Sequence, residues 1–185
     1  MSINRRRALG AAAAAATVGI EARCLWPQHT VDYRRAQSRV AVLNAEAYSE
    51  GLEETVLGGL RLFRIDVRGL CVLLKPNLVE DLQGPVNTNS ALIGAAARCF
   101  LRLGAARIVI GEGPGHQRDT ELVVHSAGLR PHLSEPKIGF VDLNRDELRK
   151  VKLKANYSGL GELWLPRSVL AVDLVVSMGE LSGAA

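Results

Sequence analysis

Aromatic residues make up only 4% of this 185-residue chain, so any core must be built from Val, Leu, Ile and Ala. Cysteine is scarce: Cys24, Cys71 and Cys99 form no Cys-x-x-Cys pair, which excludes cysteine-rich zinc and ferredoxin-type cluster motifs. Cys71 and Cys99 sit in apolar surroundings and read as small core residues, with a disulfide between them after export left open. A basic face is missing as well. The formal charge is +4, but Arg5, Arg6, Arg7 and Arg23 against Glu21 put +3 of it in the first 23 residues. The remainder carries about one positive charge, so nucleic acid is not an expected partner. No Gly-x-Ser-x-Gly elbow, His-Glu-x-x-His motif or P-loop ending is present, which weighs against the common hydrolase, zinc-protease and P-loop readings.

What is present begins with an address. Asn4-Arg-Arg-Arg-Ala-Leu9 leads into a weakly apolar stretch over residues 8–20, signal-peptide architecture too short for a membrane span of about 20 residues. Arg5-Arg6 ahead of Ala8-Leu9 resembles a twin-arginine export signal without its usual Phe, which implies an exported or periplasmic protein. The cleavage site is undefined, so the segment is read either as removed or as an uncleaved anchor, the only way the chain would keep a membrane attachment. Residues 1–23 are thus the signal segment, residues 24–38 a linker, and residues 39–185 an α/β domain.

In that domain, Arg39-Val-Ala-Val-Leu-Asn44 predicts a first strand and residues 50–65 a helix weakened by Gly58-Gly59. Leu70-Cys-Val-Leu-Leu-Lys75 is a continuous apolar run, as expected of a strand covered on both faces. Ser90 is expected to cap a second helix that Gly104 stops. Further strands are predicted over residues 107–111, 137–142 and 169–177, with a helix from Asp119 or Thr120 to Gly128. Arg149 to Lys154 alternates as an exposed edge strand would, and Leu163-Trp-Leu165 is a short piece stopped by Pro166. The alternation argues for an α/β fold: a three-layer, mostly parallel sheet with Rossmann-like βαβ units. Val172-Asp-Leu-Val-Val-Ser177 is a core-type strand with no helix after it. Either a partner covers that sheet edge, or the chain is the front of a longer, truncated domain.

Parallel strands bring their carboxyl ends to one rim, where ligands of open α/β sheets bind. Three loops should meet there: Lys75-Pro-Asn-Leu-Val-Glu80 with its continuation to Ser90, Gly111-Glu-Gly-Pro-Gly-His-Gln-Arg-Asp-Thr120, and Asp142-Leu-Asn144. Gly113 and Gly115 let backbone N–H groups approach a ligand. Lys75 and Arg118 are the expected clamps for a small anion, Asn77 and Asn89 its orienting hydrogen-bonders, and Glu112 and His116 the catalytic proton-transfer groups. Glu112, His116 and Asp119 equally suit a hard metal. Plainer readings stand beside these: Asp119-Thr120 as a helix cap, the asparagines as turn residues, and the other histidines as surface or helix residues.

Leu73-Leu-Lys-Pro-Asn-Leu-Val79, Asn87-Thr-Asn89, the glycine loop and Phe140-Val-Asp-Leu-Asn144 together resemble the family catalogued as domain of unknown function 362, over residues 39–178. In that family the strand matching Asp173 to Met178 runs into a Pro-Lys-x-Lys-Thr-His segment, whereas here Gly179-Glu-Leu-Ser follows; the resemblance therefore implies the N-terminal part of a family domain. Some relatives are described as iron–sulfur proteins, but the cluster cysteines are absent here, so no cofactor is assigned. The expected function is an exported protein with an anion or metal site at the rim. It is either an enzyme doing redox or metal-assisted chemistry on a small anionic substrate, a periplasmic binding module, or a non-catalytic truncated remnant.

Overall fold

The computed structural model describes residues 38–81, 86–115, 118–153 and 159–179. The signal segment, almost all of the linker, Cys24 and His116 lie outside these residues. Within the unit Arg39–Ala185, the elements in order are α1 (Leu52–Leu62), β1 (Cys71–Pro76), α2 (Ser90–Arg102), β2 (Arg107–Glu112), α3 (Thr120–Ser126), a 3-10 turn (Arg130–Ser134), β3 (Ile138–Asp142), β4 (Leu148–Lys152), β5 (Glu162–Pro166), the single turn α4 (Arg167–Leu170) and β6 (Leu174–Met178). The fold is α/β. Four strands form one sheet in the order β3-β2-β1-β6, every pair parallel.

The core explains why these runs become strands. Val72 and Leu74, Ile108 and Ile110, Ile138 and Phe140, and Leu174 and Val176 alternate onto one face. There they meet Ile93, Ala97 and Phe100 of α2 and Val123 and Val124 of α3. Leu57 is buried and Val56 and Leu60 border the same core, so α1 packs beside α2 on this layer. The steps β1-α2-β2 and β2-α3-β3 advance across the sheet in one direction. The return from β3 to β6 runs the other way, and right-handed crossovers then carry it past the opposite face. Leu143, at its start, lies beside Gly111 on that face.

The helix ends follow local chemistry. Asn89, not Ser90, caps α2, accepting from Ala91 N at 2.9 Å. Asp119 caps α3, accepting from Leu122 N at 3.0 Å. Gly104 and Gly128 take positive φ values of 100° and 68° just past α2 and α3, where a side chain would be strained.

Besides the cap of α2, two expectations change, at residues 39–44 and at the last strand. Residues 39–44 pair with no strand among the described residues and are largely exposed. The charged alternation does form an exposed edge strand, β4, which pairs antiparallel with β5 in a separate two-stranded sheet. The last strand begins at Leu174 rather than Val169, because Pro166 caps the turn α4 and Arg167 N donates to Glu147 O at 2.7 Å. The open alternative of a Cys71–Cys99 disulfide closes: both cysteines are free, and Cys99 is buried in the core. The Cys99 thiol lies 3.2 Å from the Glu53 carbonyl, and burial pushes it up to about 11, far from a reactive thiolate.

His132 of the 3-10 turn is packed against Gly94 so closely that a Cβ there would collide with its ring. Burial holds its pKa below the ordinary 6.5; Arg98 acts in the same direction and Glu135 opposes. The folded state therefore takes up this proton less readily than the unfolded chain, and stability is lost as pH falls below about 6.5. Denaturant midpoints measured at about pH 5 and about pH 7.5 should differ less in His132→Gln than in the parent. An equal difference in both proteins would remove His132 from the account.

Candidate functional site

Parallel register brings the strand ends level. Leu74 pairs with Ile110 and Ile110 with Phe140, while Glu112 aligns with Asp142, Lys75 with Ser177 and Pro76 with Met178. The loops after β1, β2 and β3 therefore leave from a common rim, as expected. Glu112 is the knot between them. Its side chain is 6% exposed, and its two oxygens lie 3.0 and 3.1 Å from Lys75 Nζ. Leu78 N donates to the same carboxylate at 3.2 Å and Gly113 N at 2.8 Å. The Glu112 carbonyl accepts from Leu143 N at 2.9 Å. One residue thus joins all three loops.

Between β1 and β6 the direction of the crossovers reverses, and the crevice of an open α/β sheet lies at such a point. Thr88 occupies its helix side, 1% exposed. Its hydroxyl accepts from Asn77 N at 2.8 Å and donates to the Met178 carbonyl at 2.7 Å. Asn87 folds the same loop, accepting from Val79 N at 2.7 Å and donating to the Glu80 carbonyl at 2.7 Å. The Asn77 side chain donates to the Val86 carbonyl at 3.0 Å. Asn77 and Asn89 therefore serve turn and cap here. Asp119 likewise serves its cap.

The glycine loop closes the other side. Gly113 is required by packing: a Cβ would stand 2.5 Å from Asn144 Oδ1 and 3.1 Å from Asn144 N. Asn144 Nδ2 donates to the Pro114 carbonyl at 2.8 Å, fastening this loop to the one after β3. Gly115 faces open space. Arg118 forms long ion pairs with Glu80 at 3.5 Å and Asp81 at 3.4 Å. Both expected anion clamps thus already hold carboxylates. Among the described residues no three His, Cys, Asp or Glu side chains are grouped to hold a metal ion.

Sequence reasoning found Lys75 and Glu112 but not their contact. It also missed Thr88 as the bridge and Glu80 and Asp81 as the partners of Arg118. The signal for Thr88 was a lone Thr between two turn-type asparagines, a place where a hydroxyl can serve two backbone groups at once.

Residues 72–184 match the family described as domain of unknown function (DUF362). The chain belongs to the DUF362 family. The match takes in β1 from Val72 onward and everything through β6, so the rim with Lys75, Thr88 and Glu112 is part of the DUF362 domain. No curated protein and no solved structure matches the chain.

Proposed function

We propose that the carboxyl rim of this DUF362 domain binds a small anionic ligand through Lys75, with Glu112 as the group that moves a proton if the ligand is turned over. The supporting observation is the unequal exposure of the pair: Lys75 is 44% exposed while Glu112 is 6% exposed. A ligand arriving from solvent meets the ammonium first. Nζ also donates to the Pro76 carbonyl at 3.3 Å, the longest of its three bonds, so a ligand that takes over that donor can be held without breaking the pair with Glu112. A ligand that pulls Lys75 outward would free a carboxylate oxygen next to the bound molecule, which is the position a general base needs.

Lys75→Ala should weaken binding of inorganic phosphate in calorimetry by about 1–3 kcal/mol, the range for losing a hydrogen bond to a charged group. Arg118→Ala should weaken binding as well, because its ion pairs with Glu80 and Asp81 are long and leave its charge available. Unchanged affinity in Lys75→Ala would end the anion reading.

A second reading has its own support. Glu80, Asp81, Glu112, Asp119 and Asp142 outnumber Lys75, Arg118 and Arg145 around the rim, a balance that would attract a divalent cation, although no three of these carboxylates are grouped to hold one among the described residues. In that reading Lys75 would occupy the cation's place until the metal displaces it.

A further inference from the structure

The outer edge of β6 is free among the described residues: β1 takes its inner edge, and the sheet order ends at β6. Leu174-Val-Val-Ser-Met178 carries neither charge nor proline. Those are the usual devices that keep an edge strand from pairing, and both are missing here.

Residues 39–44 have strand composition, and Val40 and Val42 are 81% and 93% exposed. The segment is nonetheless tied to α1. The Arg39 guanidinium donates to the Leu62 carbonyl and lies over the Phe63 ring, 5.8 Å from its centroid. Leu43 sits on Gly59, leaving no room for a Cβ there. Odd-numbered side chains thus face the helix and Val40 and Val42 face away, which is the alternation of an extended strand.

Topology supplies the position. α1 leads into β1 and packs beside α2, which covers β1 and β2. A strand feeding α1 must therefore lie on the side of β1 away from β2, as a right-handed crossover also requires. β6 occupies the first place on that side, so the next is the outer edge of β6. We propose that this edge is a strand-pairing site and that its occupant is residues 39–44 of the same chain, running parallel as a fifth strand. Val40 and Val42 then join Val175, 46% exposed, on the face opposite the helices.

Hydrogen exchange followed by mass spectrometry on the full chain tests this. Paired strands should show amides in residues 40–43 and in β6 exchanging at least about 100-fold more slowly than unpaired backbone. Val42→Pro, at an exposed position, should release protection in residues 40–43 and in those β6 amides that are not bonded to β1, while α1 and α2 stay protected. Fast exchange in residues 40–43 of the parent chain overturns the proposal, and this holds even if the variant does not fold. Protection of residues 40–43 with β6 unaffected by Val42→Pro also overturns it, because the segment would then be docked elsewhere. Protection that disappears on dilution, together with a dimer in native mass spectrometry, assigns the edge to a second copy and overturns the intrachain occupant.

Discussion

Glu112→Ala should lower the free energy of unfolding by about 2–4 kcal/mol, seen as a drop of roughly 10 °C in the thermal midpoint. The substitution removes the acceptor for Leu78 N, Gly113 N and Lys75 Nζ together. Leu78 is 1% exposed, so its N–H has no water to turn to. A stranded buried donor costs about 1–3 kcal/mol, whereas the half-exposed Lys75 regains solvent and adds little. The backbone bond from Leu143 N to the Glu112 carbonyl survives, which keeps the loss from reaching the level of unfolding the sheet. Glu112→Gln should recover much of the stability, since its amide oxygen can still accept from a backbone N–H. A loss below about 0.5 kcal/mol for Glu112→Ala would mean that the three loops hold their places without this carboxylate.

Thr88→Val should cost about 2–3 kcal/mol although it preserves shape. It leaves Asn77 N without its acceptor and the Met178 carbonyl without its donor, on both sides of the crevice between β1 and β6. Chemical denaturation of Thr88→Val beside Thr88→Ser separates hydroxyl from volume. Serine should retain most of the stability and valine should not. Equal stability of the parent and Thr88→Val would show that the hydroxyl bonds are matched by water in the unfolded and open states alike. The consequence for function is direct, because loosening this bridge lets the β1 loop drift from the end of β6, where Lys75 stands level with Ser177.

The parts of this fold that could be read from sequence are those written in local chemistry. Continuous apolar runs at β1 and β2 announced strands buried in a parallel sheet, and Gly104 marked the end of α2 because only a residue free of strain at φ 100° fits there. Lys75 stood out as a charge ending an apolar strand, and Glu112 as a carboxylate within a glycine loop. What escaped is what distant residues decide. Residues 39–44 have strand composition, but pairing needs a free edge that the sequence cannot place. Arg118 was expected to hold an anion; the carboxylates of Glu80 and Asp81 come to it from a loop nearly forty positions away. Residues 169–173 are apolar enough for a strand, yet Asp173 fixes where β6 begins, accepting from Cys71 N at 2.8 Å and donating from its own N to the Cys71 carbonyl at 3.0 Å. The cap of α2 moved by one residue because Asn89 and Ser90 both qualify and only the geometry chooses.

The most direct test of the rim as an anion site is the sign of two substitutions measured side by side. Inorganic phosphate is titrated calorimetrically into the parent, Lys75→Ala and Glu112→Gln. Removing the ammonium should weaken binding about tenfold or more, and neutralising its counter-charge should strengthen binding, because Lys75 then offers its full charge to the ligand. Weaker phosphate binding in Glu112→Gln, together with tighter binding of a divalent cation in Lys75→Ala, would contradict the anion site and establish the rim as a cation site instead.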